Sequence, residues 1–419
     1  MSEVAQATHS SPDGHIPQLR FPGFSGVWRE NRLGNIARIF DGTHQTPKYV
    51  ENGIPFYSVE HITANQFDDT KYISEEVFER ENMRVKLERE DILMTRIGNI
   101  GMAKYIDWNV NASFYVSLAL IKKNESFNSK FLSQLIHSPN FQRQLWKRTI
   151  HVAFPQKINL GEIGKCESIL PTKPEQQKIA AFLTTVDNKI EQLSKKQELL
   201  GEYKKGLMQQ IFSQAIRFKA DDGSDFPDWK EKKLENVLKR TSTGLNPRQN
   251  FKLGYGENYY VTIKNISNGK LDFSKCERID ENAMTMIANR SDLSKGDLIM
   301  SSIGNVGESY LLDKEPENWN INESVFMLRA SELMLPQFLY FIITNEQSKW
   351  YLESNSTGSS FKSIKLGELK LLPLGLPSLE EQTKIANFLS SIDTKIEQVG
   401  KQLDESKQFK KALLQQMFV

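Results

Sequence analysis

Two polar stretches, about 200 residues apart, contain the residue types that position phosphates. The first is Thr43-x-x-x-Pro47-Lys48, and the second is Thr243-x-x-x-Pro247-Arg248. Each offers a hydroxyl and a cation on a loop that a proline stiffens. Such groups contact the phosphate oxygens of a nucleic acid without identifying a base. The alternative interpretation of both stretches is an ordinary solvated turn.

A second pair of loops keeps one glycine frame around different side chains. RIGNIG begins at Arg96, and its counterpart SIGNVG begins at Ser302, 206 residues later. Arginine can donate two hydrogen bonds to guanine, so a changed residue in a constant frame predicts a change in the base that is recognised. We therefore predict that Arg96 reads a base. A surface arginine on a plain hairpin is the alternative.

Cations also precede the final segment of each half. Lys157 lies in AFPQKIN and Lys362 in TGSSFKSIK. Residues 126–161 contain five Lys or Arg, among them Arg148, and no Asp or Glu; residues 236–256 contain four cations and again no acid. Cations without nearby carboxylates attract anions. We predict two nucleic-acid-facing surfaces, with these contacts: Thr43, Lys48, Arg96, Arg148, Lys157, Thr243, Arg248, Ser302 and Lys362.

No catalytic motif passes its spacing test. The sequence lacks a Gly-x4-Gly-Lys-[Ser/Thr] phosphate loop, a glycine-rich cofactor fingerprint and a His-Glu-x-x-His metal motif. PDWKEKK, which begins at Pro227, has the residue types of a nuclease metal site, but its acids lie too close together to come from separate strands. All six histidines fall in the first half, whereas a role shared by both halves would use residues present in both. We predict no catalytic, cofactor-binding or metal-binding residue.

Length and composition indicate a globular chain of two or three domains. It has 419 residues, 39% hydrophobic and 25% charged, and a net charge of +2. No apolar run approaches the roughly 20 residues of a spanning helix, and the first residues lack the apolar region of a signal peptide. We therefore expect a cytoplasmic protein. Cys166 and Cys276 are the two cysteines, which excludes a disulfide framework and a multi-cysteine metal site.

The elements that must position these loops occur twice. Residues 175–212 match residues 381–418 at a constant offset of 206, without a gap and with half of the positions identical. Further upstream the offset shrinks to about 200, so the halves differ by short loop insertions. An internal repeat indicates equivalent structural units. Each half is predicted to be an α/β domain of about 150 residues followed by one long helix.

The long helices are predicted from their start signals and their apolar spacing. Thr172-x-x-Glu175 and Ser378-x-x-Glu381 are capping boxes, in which the hydroxyl and the carboxylate each satisfy a free amide group. Apolar residues then recur at spacings of three and four, which is typical of a coiled-coil seam. Within the domains, the pattern predicts helices over 129–148 and 335–353, and strands over 54–62, 113–121, 257–266 and 324–330.

Interruptions of the two seams predict how the helices pair. Gln197 occupies a seam position where the second helix has Leu403, and Leu200 corresponds to Ser406. An antiparallel pair with Gln197 near Ser406 avoids burying an amide against leucine, which a parallel pair would require. We predict this organisation: a tail at 1–17, a first recognition domain at 18–171, a central helix at 172–213, a linker and second domain at 214–377, and a C-terminal helix at 378–419.

Three groups of motifs resemble one known family. They are FSQAIRFKADDGSDFPDWKEKKLENVL at 212–238, the helix starts EQQKIAAFL and EQTKIANFL, and the helix ends KKGLMQQIF and KKALLQQMF. All resemble the specificity subunit of type I restriction-modification enzymes, and the likeness covers essentially the whole chain after about residue 18. It is strong in the helices and linker and weak in the recognition domains.

The resemblance implies a non-catalytic subunit that binds double-stranded DNA. Each target-recognition domain would read half of an interrupted site, and the antiparallel helices would set the spacing. Because the domains differ in sequence, the site need not be palindromic. Two modification subunits, which bind S-adenosylmethionine and methylate adenine, would dock on this chain, and so would motor-nuclease subunits. S-adenosylmethionine, ATP and Mg would all belong to these partners. A coiled-coil scaffold without a DNA role, and an autonomous nuclease or methyltransferase, are the alternatives.

Overall fold

The computed structural model describes residues 15–248, 250–359 and 361–419. The chain divides into two compact units, Met1–Lys195 with Gly400–Val419 (unit 1) and Lys196–Val399 (unit 2). Both divisions fall inside long helices. No helix among the described residues is long and apolar enough to cross a membrane.

Unit 1 is a mixed α/β unit. Its strands are β1 (Arg29–Arg32), β2 (Ile39–Asp41), β3 (Tyr49–Val50), β4 (Ile54–Tyr57), β5 (Lys71–Ile73), β6 (Ile92–Thr95), β7 (Ala103–Tyr105), β8 (Ser113–Phe114), β9 (Leu118–Ile121) and β10 (Glu167–Leu170). Its helices are α1 (Leu33–Ile36), α2 (Val59–Ala64), α3 (Glu75–Asn82), α4 (Ser129–Ile136), α5 (Pro139–Arg148) and α6 (Leu160–Gly164), followed by the long α7 (Lys173–Phe212).

Two four-stranded sheets form the β part of unit 1. One has the order β2-β9-β6-β7 and is antiparallel throughout. The other has the order β3-β5-β4-β8, in which β4 and β8 are parallel. β6 and β9 are buried at every residue, as expected of short continuous apolar runs. β1 and β10 form a separate antiparallel pair just before α7.

Unit 2 repeats this plan. Its strands are β11 (Lys230–Lys233), β12 (Leu238–Thr243), β13 (Asn258–Val261), β14 (Ile266–Ser267), β15 (Lys270–Leu271), β16 (Glu277–Ile279), β17 (Leu298–Ser301), β18 (Ser309–Leu311), β19 (Trp319–Ile321), β20 (Val325–Ala330) and β21 (Pro373–Leu376). Its helices are α8 (Glu281–Ala288), α9 (Pro336–Thr344), α10 (Glu346–Ser354) and α11 (Leu366–Lys370), followed by the long α12 (Leu379–Gln416). The sheet β12-β20-β17-β18 has the same order of equivalent strands as β2-β9-β6-β7.

Several predicted segments are shorter than their sequence patterns. The helical pattern at 129–148 is two helices, because Ser138 caps α5 by accepting the Phe141 amide and Pro139 begins it. The pattern at 335–353 likewise divides into α9 and α10. The strand predicted at 54–62 ends at Tyr57, and α2 takes the rest after a cap at Ser58.

Each unit builds its main core around both long helices. In unit 1, Trp28 and Phe131 pack edge to face with ring centroids 6.0 Å apart, and Phe418 of the C-terminal segment lies 6.4 Å from Trp28. Leu183 of α7 and Leu413 of α12 belong to the same buried cluster. The unit 2 cluster likewise takes residues from α7, from the start of α12 and from α9. The long helices are therefore part of each unit's core.

The helix segments run antiparallel within each unit. In unit 1, Lys410 Nζ lies 2.6 Å from Asp187 Oδ1, while Leu19 donates its amide to Gln416 and the adjacent Arg20 binds Glu175. Thus the end of α12 lies beside the start of α7. In unit 2, Lys204 Nζ lies 2.6 Å from Asp393 Oδ1. The two ion pairs are equivalent at the offset of 206, with lysine and aspartate exchanged between the helices.

The predicted register is wrong, although the antiparallel direction is confirmed. With Lys410 beside Asp187, Ser406 lies opposite position 191 rather than near Gln197. The difference of six residues is about 9 Å along a helix. Ser406 needs no polar partner across the seam, because its hydroxyl donates to the Gln402 carbonyl of its own helix.

The capping box predicted at Ser378 and Glu381 is half correct. The Glu381 amide donates to Ser378 Oγ over 3.3 Å, but the carboxylate does not return to the cap. Glu381 is fully buried and accepts from Arg217 and from Trp229 Nε1. Its counterpart Glu175 pairs with Arg20 at 2.7 and 2.8 Å. For a buried carboxylate, an arginine is a better partner than the free backbone amide of the cap, because it supplies a compensating positive charge.

Candidate nucleic-acid interface

The loop after β2 begins at a glycine that no other residue can replace without movement. A side chain on Gly42 would overlap the backbone carbonyl of Phe114. The same close approach occurs in unit 2, where a side chain on Gly244 would overlap the carbonyl of Ile321. Glycine permits such an approach because it has no Cβ. The loops that carry Lys48 and Arg248 are thus held to their sheets at equivalent points.

This equivalence corrects the sequence alignment of the loops. Gly42 matches Gly244 at an offset of 202, so Thr243 is the counterpart of Asp41 and not of Thr43. Their hydroxyls also have local partners: Thr43 Oγ1 donates to the Gln45 carbonyl over 3.3 Å, and Thr243 Oγ1 accepts from Arg290 over 3.1 Å. Lys48 and Arg248 are exposed.

Arg96 is buried and joins three segments of unit 1. Its exposed fraction is 8%. The guanidinium donates from Nε to the Ile158 carbonyl over 3.1 Å and from Nη1 to the Val116 carbonyl over 3.0 Å. Nη1 also lies 3.4 Å from Asp41 Oδ2. To read a base, as predicted, the side chain would have to leave these partners; its placement instead favours a role in positioning the loops.

Asp41 is the charge that balances this arginine. Burial raises the pKa of Asp41, but hydrogen bonds and ion pairs with Arg84 and then His44 outweigh it and hold the pKa below the ordinary value of 3.8. The contact distances are 2.5 Å to Arg84 and 3.0 Å to His44. The pKa of Arg96 is lowered by burial, which its attraction to Asp41 opposes, and a guanidinium remains charged throughout.

Ser302 occupies the same buried position in unit 2. It is 4% exposed and donates its hydroxyl to the Ser324 carbonyl over 2.7 Å. Its own carbonyl accepts the Ile364 amide at 2.9 Å, as the Arg96 carbonyl accepts that of Ile158. The varied side chain thus sits beneath the loops in both units and is not presented on the surface.

Lys157 lies on a loop that is bonded to the glycine frame. Ile97 and Lys157 form a backbone bridge, and the Gly98 amide donates to the Gln156 carbonyl over 2.8 Å. Lys157 is exposed. The structure therefore brings the RIGNIG and AFPQKIN stretches together.

The counterpart of Lys157 is Ser363, so the predicted pairing of Lys157 with Lys362 is off by one residue. Ile303 bridges Ser363 as Ile97 bridges Lys157. The Gly304 amide donates to the carbonyl of Lys362, the residue before Ser363, over 2.8 Å, as the Gly98 amide donates to that of Gln156. Lys362 is exposed beside this bridge, so each unit still presents one lysine at this point.

Arg148, which was predicted to contact DNA, lies in the packing of α5 and not on an exposed loop. It is half-buried at the end of α5 and donates to the Gln144 carbonyl over 3.3 Å. It also lies near Cys166, whose pKa burial raises to about 11 while Arg148 opposes the rise. These contacts belong to the helix packing of unit 1, which explains Arg148 without an external anion.

Each unit thus presents exposed cations on two loops that backbone contacts hold in place, and in unit 1 buried Arg96 joins the two loops. A family model for the type I restriction modification DNA specificity domain matches the chain twice, at residues 26–200 and 227–405. The chain belongs to this family. The resemblance seen in the motifs is confirmed, and this specificity subunit has two target-recognition domains.

Relatives and solved structures agree. The MjaVIII specificity subunit of Methanocaldococcus jannaschii is 25% identical over 414 residues, covering 92% of this chain and 91% of the relative. The HindI specificity subunit of Haemophilus influenzae is 26% identical over 198 residues, 46% of this chain and 41% of the relative. The S subunit of M. genitalium has a TM-score of 0.59 at 15% identity, with 94% of this chain and 96% of that chain covered. The predicted fold class is confirmed.

Two exposed arginines that bind the start of these loops in this specificity subunit were not predicted from the sequence. Arg84 binds Asp41 in the first unit, and Arg290 binds Thr243 in the second. The two arginines match at the offset of 206 that aligns the rest of the repeat. Their recurrence at equivalent positions is the sequence feature that could have indicated a shared role. Neither arginine lies in one of the glycine or proline motifs that identify the loops.

Proposed function

We propose that each unit reads one half of an interrupted double-stranded DNA site and that the chain itself performs no catalysis. The observation that carries this proposal is the recurrence, in both units, of exposed cations on loops that backbone contacts hold in place. Two such surfaces in one chain match a site with two specified parts. Methylation and cleavage would then belong to partner subunits.

Lys48, Lys157, Arg248 and Lys362 are the proposed phosphate contacts. All four are exposed, and each follows or adjoins a segment that hydrogen bonds hold to the unit. A fixed cation locates the protein on DNA and contributes affinity that does not depend on sequence. The hydroxyls of Thr43 and Thr243 act within their own loops. Arg96 in unit 1 and Ser302 in unit 2 lie beneath the loops and position them.

The proposed partners follow from the family. Two modification subunits would bind S-adenosylmethionine and methylate adenine, and motor-nuclease subunits would use ATP and Mg. The long helices α7 and α12 would dock the modification subunits and set the spacing between the two half-sites. The purified chain should therefore show neither methyl transfer nor DNA cleavage; turnover by the chain alone would overturn the non-catalytic assignment.

Salt dependence tests the phosphate contacts directly. Each of the four cations would be replaced by alanine in the complex with the modification subunits, and DNA affinity measured from 50 to 200 mM salt. Losing one contact removes about 0.9 from the slope of log affinity against log salt, so the loss of affinity across that range becomes about 3.5-fold smaller. Binding to unrelated sequences should weaken equally.

Lys165→Ala is the matched control. Lys165 is an exposed cation of unit 1 that pairs with Glu162 at 2.6 Å and lies outside the proposed loops, so its slope should equal that of the unaltered chain. Wild-type slopes in all four variants would refute the proposed contacts. Sequencing methylated adenines in cells that carry the chain and its modification partner should reveal a two-part motif; a single continuous motif would contradict the division between the units.

A further inference from the structure

The loop between α5 and α6 presents two apolar side chains entirely to solvent. Val152 and Phe154 retain 97% and 104% of the reference exposed area. Scattered exposed hydrophobic residues are common, but a fully exposed phenylalanine at the tip of a loop offers an apolar surface that a partner can cover.

Hydrogen bonds hold this loop in place at its base. The Ile150 amide donates to the Lys157 carbonyl over 2.8 Å, and Gln156 accepts the Gly98 amide at 2.8 Å. At the end of the loop next to α5, the His151 ring packs on Trp146 with ring centroids 4.8 Å apart. The tip is therefore preorganised, and little conformational freedom would be lost when it contacts a ligand.

The same loop carries a proposed phosphate contact. Lys157 is three residues from Phe154, and its backbone bridges Ile97, the neighbour of Arg96. Residues 126–161 contain no Asp or Glu. The exposed ring thus stands among cations and away from acids in its own segment, which suits a polyanion better than an acidic protein surface.

Unit 2 has an equivalent arrangement. Thr357 and Ser363 exchange both backbone hydrogen bonds at 2.8 Å, which closes the loop between α10 and α11. Within it, Phe361 is 75% exposed and adjoins Lys362. The surrounding sequences differ, yet each unit places an exposed phenylalanine within three residues of an exposed lysine at this point of the fold.

We propose that Phe154 and Phe361 are apolar wedges that insert between stacked base pairs, one in each half-site. Phenylalanine is among the side chains that proteins insert at a base step, where they unstack the bases and bend the duplex. Its ring can stack on any base, and the adjacent lysine neutralises the nearest phosphate. Each unit would thereby deform its half-site as well as contact it.

This inference rests on the proposed function, since it requires the loops to face DNA. The other partner that could cover the rings is an apolar patch on a modification subunit. If the rings insert into DNA, replacing them should change base stacking. If they contact a modification subunit, replacing them should change assembly of the complex.

The test uses the complex with modification subunits and a duplex carrying the site mapped by methylation. 2-Aminopurine, which brightens when it unstacks, is placed in turn at each position of both half-sites. The unaltered complex should brighten one step in each half. Phe154→Ala should abolish the signal in one half-site alone and weaken binding about tenfold, whereas Phe361→Ala should abolish the other. Phe154→Leu should retain most of the signal, because leucine also serves as a wedge.

Both phenylalanines are exposed, so their removal leaves the folded core intact, and Val27→Ala is the control for loss of an exposed apolar residue elsewhere in unit 1. Sequence-specific binding without brightening at any step would overturn the wedge while leaving the proposed function intact. Loss of modification-subunit assembly in Phe154→Ala, with the base-step signal preserved, would assign the ring to a protein contact and also overturn it. If the unaltered complex fails to bind the site, the proposed function itself fails.

Discussion

Replacing Arg96 by serine exchanges a buried residue of unit 1 for the residue type of its unit 2 counterpart, Ser302. Arg96→Ser removes the donors to the carbonyls of Val116 and Ile158, at 3.0 and 3.1 Å. It also removes one of the three side chains that bind Asp41, the others being Arg84 and His44. Serine is too short to reach these partners, and nothing in unit 1 replaces them.

The magnitude follows from those contacts. A buried carbonyl left without a donor costs about 1–3 kcal/mol. Asp41 keeps its contacts with Arg84 and His44, so losing the contact with Arg96 adds little to the destabilisation. We expect the free energy of unfolding of unit 1 to fall by about 3 kcal/mol, taking the lower half of that range for each of the two carbonyls. In a unit of this size, that lowers Tm by about 6–12 °C.

Calorimetry of the whole chain and methylation mapping together separate the two roles of Arg96. A positioning role predicts an early unit 1 transition and weaker binding to all sequences, with the methylated motif unchanged. Arg96→Lys should recover part of the stability, since an ammonium can reach fewer of the three partners. Full wild-type stability combined with a changed base in the motif would refute this reasoning and establish Arg96 as a base reader.

Three further perturbations act on features of unit 1. Gly42→Ala should displace the loop that carries Lys48, because the new Cβ would overlap the Phe114 carbonyl; DNA affinity should fall severalfold, which a titration would measure, while wild-type affinity would contradict the close approach. Glu175→Ala should lower the free energy of unfolding by about 3 kcal/mol in urea denaturation, since it removes the ion-pair partner of Arg20, whose side chain is only 13% exposed; an unchanged midpoint would argue against the pair. Burial lowers the pKa of His137 below its ordinary value of 6.5, and a hydrogen bond to a backbone carbonyl opposes this only in part. The unfolded chain therefore binds more protons, so stability is full above about pH 6.5 and declines as pH falls below it; His137→Gln should flatten that decline in pH-dependent melting curves.

The long helices could be predicted from the sequence because their signals are local and repeated. Glu175 and Glu381 begin the two matching helical stretches, and the structure begins α7 at Lys173 and α12 at Leu379. The seam register could not be predicted from polar interruptions alone. The Ser406 hydroxyl donates to a carbonyl of its own helix, so it does not require a polar residue opposite it on the facing helix.

The loops required information that the sequence does not contain locally. Gly42 and Gly244 are equivalent because each passes close to a carbonyl of another segment, and the sequence alignment missed this by two residues. Likewise, the partners of Arg96 lie 55, 20 and 62 residues away along the chain. Glycine frames and cations identified which loops matter, but the contacts that bury a side chain depend on the completed tertiary structure.

The division of the chain into units has a consequence for synthesis on the ribosome. Unit 2 is one continuous segment, 196–399, whereas unit 1 needs 400–419 to complete it. At 5–20 residues per second, about 10–40 s of translation separate Lys195 from Gly400. Throughout that interval the apolar face of α7 that contains Leu183 lacks its partner Leu413.

The unit that is synthesised first is therefore the last that can finish folding. When synthesis reaches residue 399, unit 2 has all its residues while the apolar face of α7 in unit 1 is still exposed. Exposed apolar surface of this kind is what chaperones bind. A message truncated after codon 399 would encode an intact unit 2 joined to a unit 1 that has no Leu413, Met417 or Phe418 to close its core.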